Sequence, residues 1–147
     1  MNKLLWFFQI VLTLAMAIFG LQKVLLPIPD LIAQGMLWIE DFPAYQVRAI
    51  GALEFLGALG LTLPYVIKAL PKKLVPLAAA GLALTMVGAI LTHVTRQDPP
   101  ASIVITSLLF AMSATLAVKR LGEIRATSSA LGNSKNSSPV GGLQESA

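Results

Sequence analysis

Four stretches of this chain are each apolar for about the thickness of a bilayer, and that removes most of the folds open to 147 residues. A helix rises about 1.5 Å per residue, so roughly 20 apolar residues cross a hydrocarbon core of about 30 Å. Residues 4–26, 47–67, 74–94 and 101–118 form runs of that kind. Lipid offers no hydrogen bonds, so a segment at that depth must satisfy its own backbone, and a run of this length does so as a helix. The predicted fold class is therefore all-α: a bundle of four transmembrane helices. Pro64, Pro71, Pro76, Pro99 and Pro100 stand at the junctions, where proline suits helix ends and first turns. Only 12% of residues are charged, against about a quarter in a soluble domain. A water-facing surface needs more.

The first run carries Lys3 and an "AMA" at residues 15–17, as a signal peptide would. It continues past that point, however, and Gln9, Thr13, Met16, Gly20 and Lys23 recur every three or four residues along one helical face. A discarded peptide needs no such face, so a retained helix is expected. The linker "PIPDLIAQGMLWIEDFPAYQ" is too polar to span. Its Leu31, Ile32, Met36, Trp38 and Ile39 predict a short interfacial helix between the first two spans, with Trp38 and Tyr45 at headgroup depth. An ordinary loop is the alternative. After Arg120 the chain turns rich in Ser, Gly and Asn. The expected organisation is one membrane domain over residues 1–120 and a disordered polar tail over residues 121–147.

Basic residues set the expected orientation. With the N-terminus in the cytoplasm, Lys3, Lys68, Lys72, Lys73, Lys119, Arg120, Arg125 and Lys135 lie inside. Lys23, Arg48 and Arg96 lie outside. That excess puts both termini in the cytoplasm. The net charge of +4 is thereby accounted for; no aromatic–basic interleaving points to nucleic acid. There is no cysteine and one histidine, His93. Thiol chemistry, iron–sulfur ligation, bis-histidine haem and multi-histidine zinc within this chain are excluded, and no metal site is expected.

The chemistry concentrates in the stretch "RAIGALEFLGALGLTLP" at residues 48–64, which places Glu54 inside a span. A lone acidic charge at mid-membrane costs about 2.5–3.5 kcal/mol. Glu54 lies six residues from Arg48, about 9 Å deeper. Lys23 ends the first span and His93 the third, both at the same side of the bilayer. Helical side chains lean toward their own N-terminus, which brings these groups together in depth. Lys23, Arg48, Glu54 and His93 are the candidate polar or ligand-binding cluster, with Thr85, Thr92, Arg96 and Asp98 secondary. Gln9, near the inner end, is a weaker candidate. Gly51, Gly57, Ala58 and Gly60 surround Glu54. Ala78, Gly81, Thr85, Gly88, Ala89 and Thr92 form a small-residue face on the third span, of the kind that allows close helix approach in lipid. A buried ion pair can equally be a register device with no ligand.

The stretch at residues 48–64, with "VPLAAAGLALTMVGAILTH" at 75–93, "TRQD" at 95–98 and "GLQKVLLP" at 20–27, resembles the DoxX-like family of membrane proteins. The resemblance covers about residues 4–120 and implies a four-helix membrane bundle. It implies that Lys23, Arg48, Glu54 and His93 are the family's polar positions here. Many members show Arg-Gly-Glu where this chain has Arg96-Gln97-Asp98, an acid one carbon shorter. Some relatives are subunits of quinone-linked sulfur oxidation or terminal oxidase complexes, and others belong to oxidative-stress assemblies.

Three readings follow. In the first, the chain is an accessory or quinone-proximal subunit of a redox or stress-related assembly in the bacterial inner membrane. Glu54 and His93 would bind, or exchange protons with, a polar headgroup, while other membrane redox subunits or further copies of the chain serve as partners. It would not be catalytic alone. In the second, the bundle is non-catalytic and its ion pair only sets helix register. In the third, it is a small oligomeric transporter or pore.

Overall fold

The computed structural model describes residues 3–136. Its helices follow in the order α1 (Lys3–Leu25), α2 (Ile28–Ala33), a short 3-10 helix (Leu37–Asp41), α3 (Ala44–Val66), α4 (Leu74–Arg96) and α5 (Pro100–Asn136). Among the described residues, α1, α3, α4 and α5 are long and apolar enough to cross a membrane. The four-span bundle expected from the sequence is what the chain forms. Large apolar side chains cover the outward faces, among them Phe7, Ile10 and Leu14 on α1, Leu53 and Leu56 on α3, Leu84 on α4 and Leu108 on α5. In water such faces would associate; facing lipid they are solvated.

The long helices alternate in direction. One end of the bundle holds Lys3, Lys68, Lys72, Lys73 and Arg120 and is the basic end; the other, holding Lys23, Arg48 and His93, is the far end. α1 lies against α3, α3 against α4, and α4 against α5, and α5 returns to α1. Leu12, Met16, Leu61, Ala79, Leu82 and Leu116 fill the centre. The face of α1 read from the sequence is the buried one: Gln9, Met16, Gly20 and Lys23 point inward, while Leu12 takes the inward place assigned to Thr13.

Helix spacing is set by small residues, chiefly on α3. A Cβ on Gly51 would stand 2.6 Å from the Lys23 Cβ and 2.8 Å from the Gly20 carbonyl oxygen. A Cβ on Gly57 would meet the Leu82 side chain at 2.5 Å, and one on Gly60 the Ala78 Cβ at 2.7 Å. So α3 provides the holes, and α4 provides Leu82 as a knob. The small-residue face expected to pack on the third span is different. Gly81 and Gly88 have nothing within 4 Å of a Cβ position, and α4 buries Val75, Ala79, Leu82 and Met86 instead. The holes are already on the neighbouring helix, so bulk rather than smallness is wanted from α4.

The linker between α1 and α3 folds as two short helical pieces. Gly35 stands between them with φ of 93°, a left-handed conformation that glycine adopts without penalty. The turn lets Leu31 and Ile39 meet Val47 in a small core of their own, with Leu26, Trp38 and Phe42 against it. This lid closes the far end of the α1–α3 pair.

The fourth long helix departs from expectation. The sequence places its span at residues 101–118, followed by a disordered tail, whereas α5 continues to Asn136. Residues 121–136 are thus helical, and residues 137–147 lie outside the described residues. A polar composition reports the lack of an apolar face, not the lack of a helix. Arg120 and Glu123 pair at 2.9 Å one turn apart, and Thr127 Oγ1 donates to the Glu123 carbonyl at 2.9 Å, which carries the helix onward.

The glycine geometry predicts opposite outcomes at two positions. Gly51→Ala should lower stability in detergent by about 1–3 kcal/mol through overpacking, whereas Gly81→Ala should leave it unchanged or raise it slightly. Thermal unfolding of both variants checks this; equal losses would mean that the α1–α3 contact is not the tight joint.

Candidate functional site

Lys23 occupies the last turn of α1 and Glu54 the third turn of α3, and the close approach at Gly20 and Gly51 brings the two side chains together. Lys23 Nζ donates to Glu54 Oε1 at 2.7 Å and to Oε2 at 2.6 Å. Both residues are buried, Glu54 at 3% and Lys23 at 7% exposure. The Trp38 ring lies 5.7 Å from the ammonium and the Phe19 ring 6.0 Å, so aromatic faces share the charge. The pair expected from the sequence is present, and it is closed: one ammonium engages both carboxylate oxygens.

Arg48 does not join it by contact with Glu54. Its Nη1 donates to the carbonyls of Lys23 at 2.5 Å and Leu26 at 2.6 Å. These lie in the final turn of α1 and just past its end, where the last carbonyls have no helical partner. Arg48 is a side-chain cap there, and its charge suits the negative end of the helix dipole.

His93 is likewise elsewhere, in a second polar group at the far end. Gln97 takes a left-handed conformation, φ 57° and ψ 39°, and caps α4 with its N–H on the His93 and Val94 carbonyls. The turn folds the next residue back, so that Asp98 N–H donates to the His93 carbonyl at 3.0 Å. The same turn brings Asp98 Oδ2 to 2.7 Å from His93 Nδ1. Arg96 bridges Asp98 Oδ1, at 3.3 Å from its Nε, to the Asp41 carboxylate of the 3-10 helix. The expected four-residue cluster is therefore two groups: Lys23–Glu54 with Arg48 on the adjoining carbonyls, and His93–Asp98–Arg96–Asp41. Gly57 faces Leu82 and Gly60 faces Ala78, which sets Glu54 near the level of Thr85, and His93 stands about 12 Å further toward the rim, at its own helix cap. Thr85 and Thr92 donate to the Gly81 and Gly88 carbonyls, each at 3.0 Å. Ser113 and Thr106 do the same on α5, so these hydroxyls are spent within their own helices.

A third polar group lies at the basic end, and of it the sequence singles out only Gln9. Gln9 Nε2 donates to the Leu61 carbonyl at 2.6 Å, close to where Pro64 withholds an N–H from the helix. Arg120 Nη2 donates to Gln9 Oε1 at 2.8 Å. The guanidinium carbon lies 5.1 Å from the Trp6 ring and 5.7 Å from the Tyr65 ring. A buried amide in an apolar run was the available signal. Nothing in the sequence separates Arg120 from the exposed Lys119 beside it.

Asp98 titrates below the ordinary aspartate range. The hydrogen bond with His93 is the main cause, partial burial opposes it, and the Arg96 hydrogen bond and charge add to it.

Compared with known families, residues 7–118 match the model of the DoxX-like family. No curated protein and no solved structure matches the chain.

Two predictions follow from this geometry. Glu54→Gln and Lys23→Met should each destabilise the bundle by about 3–5 kcal/mol, because each leaves its partner buried without a countercharge. The double variant should recover part of that loss, and a cycle of unfolding measurements in detergent showing no coupling would contradict the pairing. For Asp98, the folded value lies below the unfolded one, so its contribution is complete above the unfolded value of about 3.8. It is lost as pH falls through the lowered folded value. Stability measured across that acid range should fall in the parent and be flatter in Asp98→Asn.

Proposed function

The chain belongs to the DoxX-like family, and from that premise we propose that it is an accessory, quinone-proximal subunit of a redox or stress-related membrane assembly. The observation that carries the reading is the division of labour at the far end. The Lys23–Glu54 pair is saturated and holds α1 to α3, while the His93–Asp98 pair sits half-buried at the rim. Asp98 engages Nδ1 of the imidazole. In the neutral ring that contact fixes the proton on Nδ1 and leaves Nε2 as the acceptor. A carboxylate-oriented imidazole of this kind can take a proton from a quinol hydroxyl or return it to the quinone oxygen. Glu54 then acts through the fold rather than on the headgroup. The proposed setting is the bacterial inner membrane, with the basic end and both termini in the cytoplasm. Other membrane redox subunits, or further copies of this chain, would supply the electron carriers.

One observation favours a second reading, in which the bundle has no ligand and serves only as a structural partner. Both Glu54 oxygens contact the same ammonium, as a register device requires. The two readings part in one experiment. Titration of the purified protein with a short-chain benzoquinone should show binding that His93→Gln and Asp98→Asn each weaken about tenfold, the worth of one hydrogen bond to a polar headgroup. Absence of quinone binding, together with unchanged respiration and stress tolerance in cells carrying His93→Gln, would leave the structural reading standing.

A further inference from the structure

The basic end carries a site that the far-end reading does not use. A cavity of about 610 Å³ opens there between the start of α1, the end of α3, the α3–α4 turn and α5. Trp6, Tyr65, Lys72, Lys73, Arg120 and Glu123 line it. Its polar atoms are mostly donors. Arg120 is 7% exposed and is held in place by Gln9 and Glu123, yet its Nε–H is buried with no acceptor among the described residues. Trp6 Nε1–H is also buried with no acceptor among them. A buried donor left unpaired costs about 1–3 kcal/mol, and both belong to side chains that border the cavity, so a small shift of either toward an oxygen-bearing ligand there would recover that cost. Three cations against the single Glu123 carboxylate leave the cavity with a net positive charge, which selects an anion.

A second, almost wholly apolar groove of about 210 Å³ adjoins it, sharing Trp6 and Tyr65 and continuing along α1 past Ile10, Thr13 and Leu14. From Trp6 to Thr13 the helix rises about 10 Å along the bilayer normal. A cationic, donor-lined chamber at interface depth that continues into an apolar groove at acyl-chain depth matches one class of molecule. We propose that the basic end binds an anionic phospholipid, its phosphate on Arg120, Trp6, Lys72 and Lys73 and one acyl chain along the α1 groove. Basic pockets between membrane helices hold such headgroups elsewhere. This site is independent of the quinone reading and stands or falls without it.

Native mass spectrometry of the full chain, released from detergent with added phosphatidylglycerol or phosphatidylcholine of the same acyl chains, tests the assignment. Phosphatidylglycerol should be retained at one per chain and preferred by about tenfold or more. Lys72→Gln combined with Lys73→Gln should reduce that preference about tenfold; both lysines are exposed, so the fold should not suffer. Trp6→Phe keeps the ring, removes the orphan N–H and should weaken retention several-fold. Equal retention of the two lipids would overturn the proposal, as would an unchanged preference in the double-lysine variant. Inorganic phosphate stabilising the protein in a thermal-shift assay as well as phosphatidylglycerol does would also overturn it, since the acyl groove would then contribute nothing.

Discussion

The joint between α1 and α3 governs the rest of this bundle. In lipid, apolar side chains gain nothing by leaving the solvent, so helices associate through close packing and polar contacts. Both occur here at one level. Gly20 and Gly51 let the backbones nearly touch, and at the same crossing Lys23 meets Glu54. Either alone would leave a freedom: glycine contacts permit sliding, and a long lysine tolerates rotation. Together they fix the axial register and the facing of the two helices. The Arg48 cap on the α1 carbonyls and the Leu31–Ile39–Val47 lid can form only in that register.

Neutralisation also decides what the buried acid is for. A carboxylate in this position would be expensive if unpaired, and the arrangement removes the expense by occupying both of its oxygens. A reacting group needs access to its ligand, and Glu54, 3% exposed and held by Lys23 at both oxygens, offers little. The imidazole at the rim is the contrasting case, engaged through one nitrogen.

What the sequence made legible was whatever depends on depth and periodicity. The four spans, the inward face of α1 and the pairing of Glu54 with Lys23 all follow from residue spacing and the cost of a charge in lipid. What it did not reveal depends on the axial register of neighbouring helices and on distant partners. His93 lies in the same half of the bundle as Glu54, but how far apart they stand follows from which residues of α4 fill the holes at Gly57 and Gly60. Arg120 is separated from Gln9 by 111 positions, and only the completed ring of helices joins them. The helical stretch at residues 121–136 escaped because it lacks an apolar face, the one signal by which a helix is recognised in such a chain.

The two ends of the bundle differ in a way that composition alone would not suggest. Both are polar, but at the far end the ion pairs join across elements: Lys23 with Glu54, Arg96 with Asp41 and Asp98, His93 with Asp98. At the basic end Arg120 is matched only in part, and Lys72 and Lys73 border a cavity instead of an acid. Evenly matched charges close a structure and hold it. An excess of one sign, with buried donors unfilled, leaves a surface that is completed from outside. The positive residues of the basic end thereby equip one face of the bundle to hold an anionic component of the membrane.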